Sequence, residues 1–431
     1  MKAAPHRLLD VRRGELGIVI GAALFFFFLL TLNYILRAVR DAVGSNAPED
    51  LPKLYTGTLV TTLVLSPLFG WLVVHVPRRQ FIAIAYRVFA LTLVGFYFWM
   101  HGEEAGQFGG KAFFVWFSAC NLLIVSVFWG FLADILVNEQ AKRLYGLIGA
   151  GGTLGAIVGS KFTSWLMKLP DHPDPVMLLV YSALLLEICV QIMQWIGRRA
   201  PPVPKPVAVS EPERPNAWSG MQLVAKKPYL RILCVYMLLQ TICATFLYNQ
   251  QSYMAKAHFD TSAARTAFSA DISFWSNTLS LCLQLCFTGA LLQGLGVRRM
   301  LLPLPIIAAI GFFVLGLDES IVMFQVAVVL SKSCEYATGK PARETLYTVV
   351  SRAEKYQAKS FIDTFIYRGG DWIGAWAFDA LKVTLQYSLG TIAWIAVPLA
   401  TTWAFVAHSL GRKQEALAKA AVSLETPRGP G

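Results

Sequence analysis

Long blocks of apolar residues decide what this chain can become. The first, LGIVIGAALFFFFLLTL, is followed by others of similar length, and none alternates residue by residue. In a bilayer the backbone must satisfy its own hydrogen bonds, so only helices and closed barrels can span it. A barrel would show segments of about ten residues of alternating hydropathy, and these blocks do not. Twelve candidate spans follow, each near the ~20 residues that a bilayer needs. They cover roughly 16–39, 53–75, 80–100, 111–137, 144–168, 176–197, 229–253, 266–293, 300–317, 321–341, 357–384 and 389–410. The fold class expected is an all-α integral membrane protein. Composition agrees: 55% of residues are hydrophobic and 15% charged, where a soluble chain carries about 25% charged. The first block lacks a small-residue cleavage site after it and reads as a retained span.

Loop charges orient the spans. Cations fill alternate connections: Arg78 and Arg79, Lys142 and Arg143, Arg198 and Arg199, Arg298 and Arg299, then Arg412 and Lys413 after the last span. The connections between them (HGEEAGQFGG, LPDHPDP, LDES) are poor in cations. The positive-inside rule then places both termini in the cytoplasm of a cell whose inner membrane holds the chain. The net charge of +12 is mostly this asymmetry. It reads as orientation and contact with anionic lipid, and no nucleic acid is expected as a partner. All seven cysteines fall in apolar blocks without metal-ligand spacing, so they read as packing residues; no metal or cofactor is expected.

The stretch GRRAPPVPKPVAVSEPERP holds six prolines and cannot be a helix. It divides the chain into a cytoplasmic N-terminal segment (1–15), a six-helix bundle (16–197), a cytoplasmic linker (198–227), a second six-helix bundle (228–410) and a cytoplasmic tail (411–431) that reads as a short frayed helix. NAWSGMQLVAKK, at the end of the linker, reads as a short interfacial helix. The halves resemble each other. HVPRRQFI at 75–82 matches LGVRRMLL at 295–302, an offset of 220; Ala141-Lys142 pairs with Ala358-Lys359 at 217; Gly151 and Gly155 pair with Gly370 and Gly374 at 219. Two parallel six-span repeats are the architecture of major facilitator transporters.

Charges inside spans usually face a cavity and mark function. In the first span Asn33, Arg37, Arg40 and Asp41 share one helix face. Two readings are open for Arg40 and Asp41: lining that cavity, or reaching the external interface. Asp134 ends the fourth span, either as a functional acid or as a helix-end partner of Lys142 or Arg143. Gly151, Gly155 and Gly159 read as a close-packing stripe. The tenth span carries Lys332, Glu335, Lys340, Arg343 and Glu344 and is interrupted by Pro341; Lys332 and Glu335 are spaced to neutralise each other. The eleventh carries Asp363, Arg368 and Asp371, with Arg368 and Asp371 spaced to pair. Arg37, Arg40, Arg343 and Arg368 offer guanidinium groups whose donors match carboxylate and phosphate oxygens. They point to an anionic substrate, a nucleotide or another phosphorylated metabolite. Neither a GxxxxGK[ST] loop nor a nucleophile elbow is present, so nothing supports hydrolysis and no enzyme activity is expected.

Asn33-Tyr34, Arg37 and Arg40-Asp41 resemble the first-span pattern of the ATP/ADP translocases of plastids and obligate intracellular bacteria. Phe128-Trp129-Gly130-Phe131 through Asp134, Glu139-Gln140-Ala141-Lys142-Arg143-Leu144-Tyr145 and Arg343-Glu344-Thr345-Leu346-Tyr347 resemble later motifs of that family. Arginine replaces the family's lysine at 40 and 343, and the seventh span lacks the family's glutamate. The resemblance covers residues 33 to about 375 and implies a divergent member, working by alternating access: ATP against ADP, or nucleotide uptake with protons. On that reading Asn33, Arg37, Arg40, Arg343 and Arg368 bind substrate. Asp41, Asp134, Lys142, Arg143, Glu344 and Asp371 are gating or coupling residues. The cost of Arg37 would be offset by Asp371 or by the substrate. Two other readings stand: a proton-coupled exporter of small hydrophobic or cationic compounds, which predicts acids as the main cavity charges, and a membrane scaffold. The partners expected are the anionic substrate and the lipid bilayer, and the chain reads as a monomer.

Overall fold

Each apolar block closes its backbone hydrogen bonds within itself, as helix. A computed structural model describes residues 15–75, 78–101, 103–136, 138–199, 217–285 and 296–425, and among these there is no strand. The N-terminal segment 1–14, residues 200–216 of the proline-rich linker, the stretch 286–295 that ends the eighth span, and 426–431 lie outside the described residues.

The helices before the linker are α1 (Leu16–Asn46), α2 (Leu51–His75), α3 (Arg78–Met100), α4 (Glu103–Ile135), α5 (Asn138–Met167) and α6 (Met177–Arg199). After it come α7 (Ala217–Lys226), α8 (Pro228–His258), α9 (Ser262–Leu283), α10 (Pro303–Leu317), α11 (Ile321–Cys334), α12 (Lys340–Thr345), α13 (Arg352–Phe361), α14 (Tyr367–Asp379) and α15 (Leu389–Glu425). The short helix α7 lies where NAWSGMQLVAKK predicts one. A π turn, Glu335–Gly339, joins α11 to α12 directly before Pro341, whose missing N–H explains an interruption there. A second π turn, Ile362–Ile366, joins α13 to α14. Counting α11–α12 and α13–α14 as one run each, and leaving α7 aside, twelve membrane-scale runs stand in the described residues. Seven candidate spans are long and apolar enough, as single helices, to cross a bilayer. The protein is an all-α, multi-pass membrane protein. One detail concerns the tail, expected as a short frayed helix: α15 runs unbroken to Glu425, so the tail helix is a continuation of the last span. It is held there by packing, since Gln414 is buried and Glu415 accepts from the backbone N–H of Arg298 at 3.3 Å.

The helices gather into two compact units. The first comprises Met1–Val43, Val64–Val207 and Thr261–Phe274; the second comprises Gly44–Leu63, Ala208–Asp260 and Trp275–Gly431. In the first unit the FFFF run of α1 supplies the core. Phe26 stacks on Phe128 of α4 with centroids 4.4 Å apart, and Phe25 meets Tyr86 of α3 edge-on at 5.9 Å. Here α5 is drawn against α1 at the expected glycine stripe. A Cβ on Gly151 would sit 2.6 Å from the carbonyl oxygen of Ala23, and those on Gly155 and Gly159 would overlap the carbonyls of Phe27 and Thr31. In the second unit Gly370 and Gly374 of α14 lie against α8, meeting the side chains of Thr241 and Thr245 and the backbone of Ile242. The glycines that match in sequence thus do the same job in both units, which is the structural content of the repeat.

Candidate functional site

The polar face of α1 folds inward in the first unit. Asn33 is buried and donates through its amide to Asn121 Oδ1 on α4. The Arg37 guanidinium lies 5.4 Å from the ring centroid of Tyr34, one turn back. Arg40 reaches its own neighbour, with Nε 2.9 Å and Nη2 2.5 Å from Asp41 Oδ1, and it also covers the Phe114 ring at 5.4 Å. Asp41 is only 3% exposed, so of the two readings left open for this pair the structure favours burial within the helices over an outward reach. Two charges so placed are tolerable because they neutralise each other within one hydrogen-bonded pair.

At the start of α5, Arg143 Nη2 lies 3.1 and 3.3 Å from the two carboxylate oxygens of Glu15, and Gln140 Nε2 donates to the same carboxylate at 2.9 Å. The sequence does not suggest Glu15 as the partner of Arg143. The arrangement ties α5 to the beginning of α1 within the first unit. Asp134, at the end of α4, is exposed. The side chain of Lys142 lies outside the described residues.

In the second unit the polar residues of α11 to α14 converge with α8. Arg368 Nη1 and Asp371 Oδ2 pair at 3.6 Å as their spacing predicts, and Thr245 Oγ1 of α8 donates to Asp371 Oδ1 at 3.1 Å. Thr245 is missed by a search for charges alone. Its signal is a polar stripe, Thr241, Thr245 and Asn249, recurring every four residues along an apolar helix. All three are buried, as are Gln250 and Gln251 beyond them. Lys332 of α11 donates to Gln251 Oε1 at 3.3 Å, a partner that the sequence does not suggest. Glu344 is held by Lys359 of α13, whose Nζ lies 2.6 and 2.9 Å from its two oxygens.

Arg343 is different. Among the described residues its guanidinium makes no ion pair, while Tyr236, Tyr347, Asp363 and Tyr367 all lie within its electrostatic reach. The Tyr347 hydroxyl beside it is buried and has no hydrogen-bond partner among the described residues. A buried phenol without a partner costs about 1–3 kcal/mol. It lies within the electrostatic reach of the half-buried Arg343 guanidinium. Asp371, Glu335 and Arg368 act on Tyr367 together with Arg343, so Tyr367 lies within the electrostatic reach of all four. The structure therefore brings Arg343, Arg368 and Asp371 together in one unit, and Asn33, Arg37, Arg40 and Asp41 along one helix of the other.

No family model matches the chain. Curated relatives do. The ADP,ATP carrier protein 1 of Chlamydia muridarum is 22% identical, over 94% of this chain and 91% of that protein. The chloroplastic ADP,ATP carrier protein 1 of Arabidopsis thaliana is 23% identical, over 69% of this chain and 53% of that protein. Among solved structures, the nucleoside transporter NupG superposes with a TM-score of 0.67 at 13% identity, over 91% of this chain and 99% of its own. The xylose transporter XylE from E. coli superposes with a TM-score of 0.65 at 12% identity, over 91% and 95%. At such identities the solved structures speak for the fold alone. The chain is thus similar in sequence to the ADP,ATP carrier proteins and has the fold of major facilitator transporters.

Proposed function

We propose that the chain is a secondary transporter of an organic anion, exchanging nucleotides of the ATP/ADP type or another phosphorylated metabolite by alternating access of its two six-helix halves, 16–197 and 228–410. The observation that carries this reading is the half-buried Arg343, which makes no ion pair among the described residues and has the partnerless Tyr347 hydroxyl within its electrostatic reach. A guanidinium presents several N–H donors in a plane that matches two phosphate oxygens, and a phenol adds one more donor. Arg368, held by Asp371, is the second cation of the same cluster. Tyr367, half-buried next to Arg368, supplies a ring face suited to a base. The names of the curated relatives support a nucleotide as the anion.

In this reading Asn33, Arg37, Arg40, Arg343 and Arg368 serve the substrate. Asp41, Asp134, Lys142, Arg143, Glu344 and Asp371 serve gating or coupling, and both termini face the cytoplasm. No step of hydrolysis is involved. The test is counterflow in proteoliposomes loaded with unlabelled ATP, with labelled ADP outside. Uptake that requires internal nucleotide and disappears in Arg343→Ala supports the proposal. Absence of exchange by correctly inserted wild-type protein overturns the nucleotide assignment.

A further inference from the structure

One pair of charges faces away from the protein. Arg87 of α3 binds Glu187 of α6 through two parallel hydrogen bonds, Nε to Oε2 at 3.1 Å and Nη2 to Oε1 at 3.0 Å, and Gln191 Nε2 donates to Glu187 Oε1 at 2.6 Å. The two side chains are 49% and 43% exposed. Around them the outward faces of both helices are apolar: Ile84 is 56%, Leu91 71% and Leu184 62% exposed.

Both helices belong to the candidate membrane spans. Arg87 stands nine residues from Arg78 and thirteen from Met100, the ends of α3, and Glu187 stands ten from Met177 and twelve from Arg199, the ends of α6. At about 1.5 Å per residue, both charges lie well over 10 Å from either helix end. Arg87 turns to Glu187 instead of stretching along its helix toward a headgroup. Ionised groups in spans ordinarily face protein or water, and this pair shows its edge to the outside. Arg87 spends two of its five N–H donors on Glu187, and among the described residues it has no other partner.

A pair with one cation and one anion on the same face is self-complementary. Turned by a two-fold axis, a second copy brings its glutamate to the first copy's arginine and its arginine to the first copy's glutamate, closing a neutral ring of four charges. We infer that the outer face of α3 and α6 is an interface between two copies of this chain, built around Arg87 and Glu187. The monomer expected from sequence is then half of the assembly. Gly95 fits this use. It lies on the same exposed face of α3, and a Cβ there would meet nothing within 4 Å, so only a neighbour outside the chain gains from its smallness.

The test counts subunits of the full chain, tagged with a fluorophore, by single-molecule photobleaching in sparsely loaded proteoliposomes. Wild type is expected to bleach in two steps. Arg87→Glu and Glu187→Arg each place like charges across the axis, and the two-step fraction should fall by roughly tenfold or more. Co-expressed under different affinity tags, these two variants should pair with each other and co-purify. Gly95→Trp fits the single chain and blocks close approach, so it should also bleach in one step, and it decides the matter if either charge reversal fails to insert. One-step bleaching of wild type, or two-step bleaching of a correctly inserted Gly95→Trp, overturns the interface. A lipid-facing pair with no second copy is the state those outcomes would reveal.

Discussion

Gly155 on α5 lies so close to the carbonyl oxygen of Phe27 on α1 that no side chain fits between them. Gly155→Ala is expected to force the two helices apart. Overpacking of a tight contact costs about 1–3 kcal/mol, enough to lower the melting temperature of the purified protein by several degrees. Gly149→Ala is the control, because a Cβ at Gly149 meets nothing within 4 Å. Its melting temperature should hold or rise, since alanine is the better helix former.

The Arg368–Asp371 pair separates stability from transport. Arg368→Leu removes the cation paired with Asp371 in a mostly buried place and leaves the hydrogen bond from Thr245. The expected loss of stability is about 1–3 kcal/mol. Arg368→Leu with Asp371→Leu should recover most of that loss, because both members of the buried pair are then removed together. Neither variant should exchange nucleotide. Thermal unfolding and counterflow on the same preparations check both halves of the prediction.

Arg343 and Tyr347 should differ in weight. Arg343→Ala removes a charged donor worth about 1.5–3 kcal/mol, a tenfold to hundredfold loss in affinity for ATP. Tyr347→Phe removes one neutral hydrogen bond and should cost severalfold. Arg343→Lys keeps the charge but not the planar fork and should fall between them. Titration calorimetry of detergent-solubilised protein gives the order, and an unchanged affinity in Arg343→Ala would remove it from the site.

The end of the linker carries a pH-dependent clasp. Lys227, after α7, binds Glu354 at the start of α13, and this hydrogen bond is the main reason that the Glu354 carboxyl is held below its usual 4.5. Ser351 closes a capping box with the same glutamate. A depressed carboxyl contributes stability above its unfolded value and loses it as pH falls through the lower folded one. The clasp is therefore complete at neutral pH and weakens below about 4.5. With Lys227 nearly half exposed, the pair is worth only about 0.2–1 kcal/mol. Hydrogen exchange across Ala217–Lys226, corrected for its intrinsic pH dependence, should quicken severalfold at most in Glu354→Gln at neutral pH, and the difference from wild type should vanish in acid.

What could be read from the sequence follows from distance along the chain. The twelve runs were legible because apolar blocks of span length admit no other fold in lipid. Arg368 and Asp371 were legible because both stand on one helix, three residues apart. The close-packed glycines were legible because Gly151, Gly155 and Gly159 repeat every four residues. Arg143 and Glu15 are 128 positions apart, and Arg87 and Glu187 are 100 apart. Periodicity within a helix says nothing about such pairs, which exist only once α5 lies on α1 and α3 on α6. Tyr347 stood in a motif but not among the candidates, since an orphaned hydroxyl is a property of its surroundings.

The π turns have a further consequence. Each holds one residue more than the α-helix needs for the same advance, and so turns everything after it by about 100° around the axis. Ile362–Ile366 stands directly before Arg368 and Asp371. The direction in which that pair looks is therefore set by a length and not by any residue identity in the turn. Deleting one residue from Ile362–Ile366 would restore an ordinary helix and swing Asp371 away from Thr245 while every side chain of the site stayed in the chain. Here a single-residue gap acts as a dial, and two relatives that differ by one residue before this point present different faces of the same helix.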